Sequence, residues 1–181
     1  QKYISVIMSK CDEVSRLTDD LFLHSLSDLD KLKITPEKTE LSEFLEAAVR
    51  EIGAPQGDVH YEKPDFRAEV YADKKRLLQL CENLVNNSRK YAESDTNIFL
   101  SLSDGNVNVH FRDYGSGIPD EDMPFIFGKF YRGRNCGDKQ GSGLGLYIVK
   151  YIAEKSGGKV LLRNHSDGLE VTVSLPLLKE S

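Results

Sequence analysis

The stretch Gly141-Ser-Gly-Leu-Gly-Leu146 runs directly into the apolar, helically periodic segment Tyr147–Ala153. A glycine-rich turn that opens onto a helix places free backbone N–H groups at the positive end of the helix dipole. Phosphate binds at such a point without needing a cationic side chain. Because glycine-rich turns are common and many only turn the chain, the meaning of this one depends on the segments upstream.

Two segments with turn residues indicate antiparallel hairpins. They are Asp104-Gly105 and Ser166-Asp167-Gly168, and each lies between two stretches that alternate apolar and polar residues. Asp-Gly flanked by such stretches is a strong hairpin signal. The sequence therefore predicts two hairpins, one in the middle of the chain and one near its end.

Helices alternate with these hairpins. Apolar residues at helical spacing predict helices over residues 41–52, 74–92 and 144–155, and Ala68–Ala72 is a short strand candidate. Residues 113–143, rich in Gly, Asp and Arg, are expected to form a long functional loop with a short helix near 123–127. This order predicts the α+β class, a two-layer α/β sandwich with helices on one face of a mixed sheet.

The composition excludes several classes of protein. The chain has 181 residues, a formal net charge of −5 and a sequence pI of about 5.4, which argue against a nucleic-acid-binding surface. No apolar run approaches the roughly 18 residues that cross a bilayer, and no signal peptide is visible. The three cysteines are far apart and lack CxxC spacing, so neither a disulfide framework nor a zinc site is indicated.

Residues 4–25 carry an apolar stripe at alternating steps of three and four, beginning with Ile4, Ile7, Cys11 and Val14, and the pattern fades over residues 25–32. This pattern predicts a long helix that packs in a bundle or coiled coil, because such a helix cannot bury its face alone. We expect its partners to be an upstream helix missing from the chain and a second copy of the chain. Since the chain starts in mid-pattern without Met, we expect a piece of a longer protein, with a linker at 33–39 and the main domain at 40–181.

Three further segments carry chemistry. Asn83, Asn87 and Lys90 are spaced i, i+4 and i+7, which suits a Mg²⁺-triphosphate, although an ordinary solvated polar face has the same pattern. Asp113 follows a strand and precedes two glycines, so it could accept from the amine of adenine or simply begin a turn. Phe127-Gly-Lys-Phe-Tyr-Arg132 would latch a loop over a nucleotide, or form a small satellite cluster under that loop.

In this order, N-L-V-N-N-S-R-K-Y, D-Y-G-S-G-I-P, F-G-K-F-Y-R and G-S-G-L-G-L resemble the N box, first glycine box, F box and second glycine box of bacterial sensor histidine kinases. These kinases share a superfamily with gyrase B, the MutL repair proteins and the heat-shock ATPase chaperones. The resemblance implies a Bergerat-type ATP-binding catalytic domain over 40–181. It also implies that residues 1–32 are the C-terminal part of the dimerisation and phosphotransfer domain.

The resemblance assigns roles by position. Asn87 would hold Mg²⁺, Asn83 would face the phosphates or the waters of the metal, and Lys90 would position phosphate. Tyr91 would contact ribose or phosphate, and Asp113 would accept from the adenine amine. The other nucleotide contacts implied are Gly115, Gly117, Ile118, Phe130, Arg132, Gly141, Gly143, Leu144, Gly145 and Leu146.

The implied activity is transfer of the γ-phosphoryl group of ATP to a histidine on the missing upstream helix, for relay to the receiver domain of a response regulator. The intact protein would be a homodimer through the N-terminal helix. It would be anchored in the membrane only through missing segments, with this region in the cytoplasm. His24 does not resemble an acceptor site, so this chain should bind ATP without phosphorylating itself. Leu169 stands where the family commonly has Thr, and Ser166 or Thr172 could compensate.

Two other functions stay open. One is a regulatory or degenerate kinase module that binds nucleotide and acts through protein interaction. The other is an ATPase of the gyrase or MutL type. Asn83 argues against the ATPase, because that branch carries a glutamate general base at this position and a carboxamide cannot take a proton at neutral pH.

Overall fold

The computed structural model describes residues 34–53, 57–134 and 141–178. The predicted N-terminal helix and its apolar stripe lie outside the described residues. From Thr35 onwards the described residues form one compact unit. No helix among these described residues is long and apolar enough to cross a bilayer.

The elements follow one another as strands and helices with short connections. In chain order they are β1 (Glu37–Glu40), α1 (Leu41–Gly53), β2 (Val59–Glu62), β3 (Glu69–Ala72), α2 (Lys74–Asn87), a π-helical turn (Ser88–Ala92), β4 (Thr96–Ser103), β5 (Asn106–Arg112), α3 (Gly145–Lys155), β6 (Lys159–His165) and β7 (Gly168–Pro176).

Five strands form one mixed sheet in the order β2-β4-β5-β7-β6. Strand β2 runs parallel to β4, and the other neighbours are antiparallel. Strands β1 and β3 pair separately as a two-stranded antiparallel sheet. The predicted α+β sandwich with a mixed sheet is therefore confirmed.

The core lies between the inner face of the sheet and the helices. Period-2 alternation puts Val107, Val109 and Phe111 of β5 on this face, each 3% exposed or less. The helices contribute residues such as Leu45 and Ile152, both 1% exposed. Each such side chain contributes about 1.5–3 kcal/mol through burial, so the sheet and helices stabilise each other.

The two hairpins agree with the prediction. The first turns at Asp104 (φ 51°) and Gly105 (φ 75°), the left-handed pair that matches the twist of two antiparallel strands. Two short strands were not predicted. Strand β1 lies mostly within the expected linker 33–39, and β2 has only four residues, so neither is long enough to show clear alternation.

The expected short helix near 123–127 is instead a series of turns. The N–H groups of Asp122, Phe125 and Gly128 donate to the carbonyls three residues earlier, at 2.7–2.9 Å. Pro124 has no N–H, so it cannot continue a helical ladder through this segment. The prediction of a helix here was wrong.

The long helix predicted over 74–92 is α-helical only to Asn87. The next five residues form a π-helical turn, closed by the Glu93 N–H, which donates to the Ser88 carbonyl at 2.9 Å. A π turn is rare and is frequently found at functional sites. This one changes the direction in which Lys90 and Tyr91 leave the helix relative to Asn83 and Asn87.

Candidate functional site

A cavity of about 450 Å³ opens between α2 with its π turn, the inner face of β5 and β7, and the start of α3. This volume is typical of a small-molecule site. Of the predicted contact residues, only Phe130 and Leu144 do not line it. The predicted residues in its wall are Asn83, Asn87, Lys90, Tyr91, Asp113, Gly115, Gly117, Ile118, Arg132, Gly141, Gly143, Gly145 and Leu146.

The two carboxamides of α2 meet the first residue of α3. A Cβ placed on Gly145 would lie 3.2 Å from Asn83 Oδ1 and 3.5 Å from Asn87 Oδ1. The Asn83 Nδ2 donates to the Gln79 carbonyl at 2.8 Å, which orients the side chain. Among the described residues, the Asn87 carboxamide makes no hydrogen bond, so its oxygen is available to a ligand.

The first turn of α3 supplies backbone donors at the same place. Leu144, the N-cap residue, makes no side-chain capping bond, so the first N–H groups have no such partner. Gly145 and Leu146 line the cavity. The positive end of the helix dipole and unpaired N–H groups therefore adjoin the two asparagines, an arrangement suited to an anion.

Gly143 brings the glycine-rich turn against the backbone of the preceding segment. It has φ 70°, and a Cβ there would lie 2.6 Å from the Phe130 carbonyl carbon and 2.8 Å from Tyr131 O. Contacts this short exclude any side chain at this position. The close approach places Arg132, which lines the cavity, next to the turn that leads into α3.

Lys90 and Tyr91 come from the π turn. The Lys90 Nζ lies 4.8 Å from the centroid of the Tyr91 ring, a cation–π distance, and it abuts Gly141. The turn itself is anchored by Arg89. Its Nε and Nη2 donate to both carboxylate oxygens of Asp58 at 2.6 and 2.7 Å, and Nη2 also donates to a carbonyl of α1 at 2.9 Å.

This anchor shifts the titration of Asp58. Hydrogen bonding to the Arg89 guanidinium holds the pKa of the Asp58 carboxyl below its usual 3.8, despite the opposing effect of partial burial. The same interaction raises the pKa of Arg89. The pair is charged at neutral pH and fixes the turn that carries Lys90.

Asp113 lies at an apolar end of the cavity, beside Leu169 and two residues after Phe111. Its Oδ1 accepts from the N–H groups of Gly115 and Leu169, both at 3.1 Å. Its Oδ2 makes no hydrogen bond among the described residues. The backbone is fixed as well, because the buried Arg112 donates to the Asp113 carbonyl at 2.6 Å and the Asp113 N–H donates to Leu169 O at 2.9 Å. The chain thus orients the Asp113 carboxylate through Oδ1, and Oδ2 remains available to accept a hydrogen bond from a ligand.

The loop after Asp113 is held close to its neighbours. A Cβ on Gly115 would lie 2.5 Å from the Cβ of Ala92, so glycine is needed for this packing. Asn164 of β6 pairs with the backbone of Ile118 as a strand would, accepting from its N–H at 3.0 Å and donating to its carbonyl at 2.6 Å. These contacts keep the loop flat against the rim of the cavity.

Two sequence expectations have a different outcome. Leu144 is 1% exposed and packs in the interior, and Phe130 is 43% exposed with φ 62°, outside the cavity wall. Neither Ser166 nor Thr172 lines the cavity, and the Thr172 hydroxyl instead contacts His110 Nδ1 at 3.2 Å. Compensation for Leu169 by these two side chains stays a prediction, and neither of them belongs to the cavity wall.

Several wall residues were not predicted. Two apolar ones could have been inferred from strand pairing, because Phe111 of β5 precedes Asp113 by two residues and Val171 of β7 pairs with Phe111. Asp122 was missed as well. It lies among several acidic residues, and its environment depends on residues about ten positions further along the chain.

The cavity therefore has two chemically different ends. The Asp113 end combines one available carboxylate oxygen with apolar side chains, which suits a flat ring that carries an amine. The Asn87 end combines carboxamide oxygens, helix N–H groups and the cations of Lys90 and Arg132, which suits a polyphosphate with a hard metal ion. Among the described residues there is no group of three or more His, Cys, Asp or Glu that could hold a metal on its own.

The sequence profile of the histidine kinase-, DNA gyrase B- and HSP90-like ATPases matches residues 72–179, and the chain belongs to this family. It is similar to the signal transduction histidine-protein kinase BaeS of Escherichia coli strain K12. The two are 32% identical over 187 aligned residues, which cover 98% of this chain and 40% of BaeS. The chain thus spans less than half the length of this relative.

Two solved structures have the same fold. The mycobacterial sensor histidine kinase MprB superposes with a TM-score of 0.65 at 22% identity, covering 79% of this chain and 98% of that one. The crystal structure of full-length ShkA in complex with AMPPNP has a TM-score of 0.72 at 20% identity, covering 99% and 39%. At these identities the likeness concerns the fold alone.

Proposed function

We propose that this chain is the ATP-binding catalytic region of a two-component sensor histidine kinase, and that it transfers the γ-phosphoryl group of Mg-ATP to a histidine on another helix. One observation carries the proposal. A single cavity joins a carboxylate with one available oxygen at its apolar end to two asparagines and an uncapped helix N-terminus at the other. The AMPPNP complex of ShkA, a protein of the same fold, supports nucleotide as the ligand.

In this proposal one end of the cavity binds the adenine base and the other binds the triphosphate with its metal ion. The free oxygen of Asp113 accepts from the exocyclic amine of adenine, while Gly115 and Gly117 allow the ring to approach the backbone. The N–H groups at Gly145 and Leu146, together with Lys90, bind phosphate oxygens. Asn87 supplies a hard oxygen for Mg²⁺, and Asn83 faces the waters of the metal or the phosphates. Bound Mg²⁺ would neutralise charge on the triphosphate.

The residues favour transfer over hydrolysis. The two carboxylates in the described wall are Asp113, which lies at the apolar end, and Asp122, whose two oxygens both accept hydrogen bonds from the chain. Glu82, next to Asn83, is exposed and does not line the cavity. The described wall therefore presents no general base beside the phosphate end, as an ATPase of the gyrase type would require. A histidine brought in from outside fits a site that positions phosphate and leaves the nucleophile to a partner.

The proposal extends to the intact protein. Residues 1–32 would be the C-terminal part of the dimerisation and phosphotransfer domain, residues 33–39 a linker, and 40–181 the catalytic domain. The acceptor histidine would lie upstream on a missing helix, and a response regulator would receive the phosphoryl group. The intact sensor would be a homodimer anchored in the membrane by other segments, with this region in the cytoplasm.

Calorimetry with Mg-ATP tests the binding part. We expect saturable heat from the chain, and a loss of affinity of about tenfold or more in Asp113→Asn and Asn87→Ala, because each removes a contact to a charged or strongly polar group. Asp104→Asn on the exposed hairpin and Asn86→Ala on the exposed face of α2 are the matched controls and should bind as the parent does. Absence of heat from the parent chain overturns the proposal.

A transfer assay tests the reaction. The chain is mixed with γ-labelled Mg-ATP and a purified helical domain that carries an acceptor histidine. We expect acid-labile label on that domain and little steady-state release of phosphate. Fast release of phosphate without label on the helix would favour an ATPase. Binding without either product would favour the regulatory module.

A further inference from the structure

Asp122 is a buried carboxylate in the wall of the cavity, and recognition of a nucleotide as described above does not use it. It is 1% exposed. Its Oδ1 accepts from the Tyr131 hydroxyl at 2.9 Å, and its Oδ2 accepts from the backbone N–H of Arg134 at 2.9 Å. Burial of a carboxylate costs free energy unless donors compensate it. The two hydrogen bonds therefore hold the chain at Tyr131 and Arg134 in a defined position.

The two bonds flank Arg132. Tyr131 and Arg134 lie on either side of it in the chain, so the carboxylate holds the segment at both ends. From the other side, the glycine-rich turn abuts the same segment, where a Cβ on Gly143 would lie 2.8 Å from Tyr131 O. The segment is thus fixed between a buried carboxylate and a backbone contact, and Arg132 lines the cavity.

Its neighbours place Arg132 at the phosphate end. Gly143 is two residues before Gly145, whose Cα adjoins the carboxamides of Asn83 and Asn87. A cation carried next to this turn reaches the region of the uncapped helix N-terminus.

We propose that Asp122 is a positioning residue that orients the Tyr131–Arg134 segment, so that the Arg132 guanidinium meets the triphosphate of the bound nucleotide. The inference rests on the nucleotide binding proposed above. Asp122 itself is not expected to contact phosphate, because a carboxylate repels a phosphate and its two oxygens accept from Tyr131 and Arg134. It acts through Arg132, so its removal should affect the phosphate end and spare the base end.

The test compares Mg-ATP with adenosine as ligands. In Asp122→Asn the new NH₂ group faces either the Tyr131 hydroxyl or the Arg134 N–H, so one of the two hydrogen bonds is replaced by two opposed donors. Tyr131→Phe removes only the hydroxyl and is the milder variant. Asp120→Asn, an exposed neighbour in the same turns, is the matched control. Affinities are measured by calorimetry for Mg-ATP and by competition for adenosine, and thermal melting of each variant reports folding.

We expect Asp122→Asn, Tyr131→Phe and Arg132→Ala each to weaken Mg-ATP binding by about tenfold, the scale of a hydrogen bond to a charged group. Adenosine affinity should stay unchanged, and Asp122→Asn should add nothing in the Arg132→Ala background, because both act through one contact. If Asp122→Asn does not fold, the cycle of Tyr131→Phe with Arg132→Ala decides in the same way.

Equal losses for Mg-ATP and adenosine, or losses that multiply in the double variant, would overturn the positioning role while nucleotide binding stands. A parent chain that binds neither ligand would remove the proposed function, and this inference with it. The two failures are therefore distinguishable.

Discussion

Replacing Arg89 by Ala should destabilise the fold and weaken nucleotide binding together. Arg89 makes three hydrogen bonds, two of them to the carboxylate of Asp58, and the two side chains are only 22% and 19% exposed. Partial exposure screens the pair, so we expect a loss of about 2–3 kcal/mol in the free energy of unfolding. For a chain of this size the melting temperature should fall by about 4–12 °C.

The chain offers a matched control on α1. Arg50 pairs with Glu46 one helical turn away, but its side chain is 76% exposed. Such a pair contributes little, so Arg50→Ala should leave the melting temperature nearly unchanged. Arg89→Lys should fall between the parent and Arg89→Ala, because an ammonium cannot reproduce the two parallel bonds of a guanidinium.

The difference between the parent chain and Arg89→Ala should depend on pH. The folded pKa of Asp58 is lowered, so the pair contributes fully above the usual value of 3.8, the reference for the unfolded chain. Its contribution is lost as the pH falls through the lower, folded pKa. Urea unfolding between pH 7 and pH 3 should show a constant gap in stability between the two chains down to about pH 5, and this gap should narrow as the pH falls further.

Nucleotide binding should follow, since Arg89 anchors the turn that carries Lys90 and Tyr91. Calorimetry should show weaker binding of Mg-ATP in Arg89→Ala and no change in Arg50→Ala. Equal stability losses in the two variants would refute the reasoning. So would a gap in stability that persists unchanged below the folded pKa of Asp58.

Three further perturbations have defined outcomes. Gly143→Ala should abolish Mg-ATP binding in calorimetry and lower the melting temperature, because φ is 70° and a Cβ would lie 2.6 Å from the carbonyl carbon of Phe130; a variant that binds normally would show that the turn tolerates a side chain. Asn164→Ala should weaken adenosine binding several-fold with little change in melting, as it removes two bonds to the Ile118 backbone; unchanged affinity would contradict the role of that loop. Burial raises the pKa of the Cys81 thiol to about 12, so mass mapping should find it unmodified by a thiol reagent in the native chain at pH 8 and modified in urea; labelling of the native thiol would contradict its burial.

The sequence predicted most of the large elements because their periodic signals are long. Helices α1, α2 and α3 each bury a helical stripe, and both hairpins have turn residues that match their backbone angles. Strands β1 and β2 have four residues each and acquire their structure from partners β3 and β4 far along the chain. No local sequence pattern therefore predicts these two strands.

The sequence motifs predicted most of the polar residues of the cavity wall, but they did not predict how these residues are oriented. The motifs located Asn87, Asp113 and the glycines, which line one cavity as expected. The π turn that reorients Lys90 has no sequence signature, since its residues also fit an α-helix. The role of Asp122 depends on a hydroxyl and an N–H that arrive from later in the chain, so spacing alone could not reveal it.

Leu169 stands where the family commonly has Thr, and the effect of this difference can be judged only from the structure. A polar side chain at this position could contact a bound nucleotide or Asp113, and neither Ser166 nor Thr172 lines the cavity. The anchoring of Asp113 nevertheless persists, because the N–H of Leu169 donates to Oδ1 and its carbonyl accepts from the Asp113 N–H. Backbone groups are present whatever the side chain, so the carboxylate stays oriented while the wall beside it becomes apolar. In the proposed nucleotide complex, recognition of the base would therefore depend on the Asp113 carboxylate rather than on the side chain at position 169.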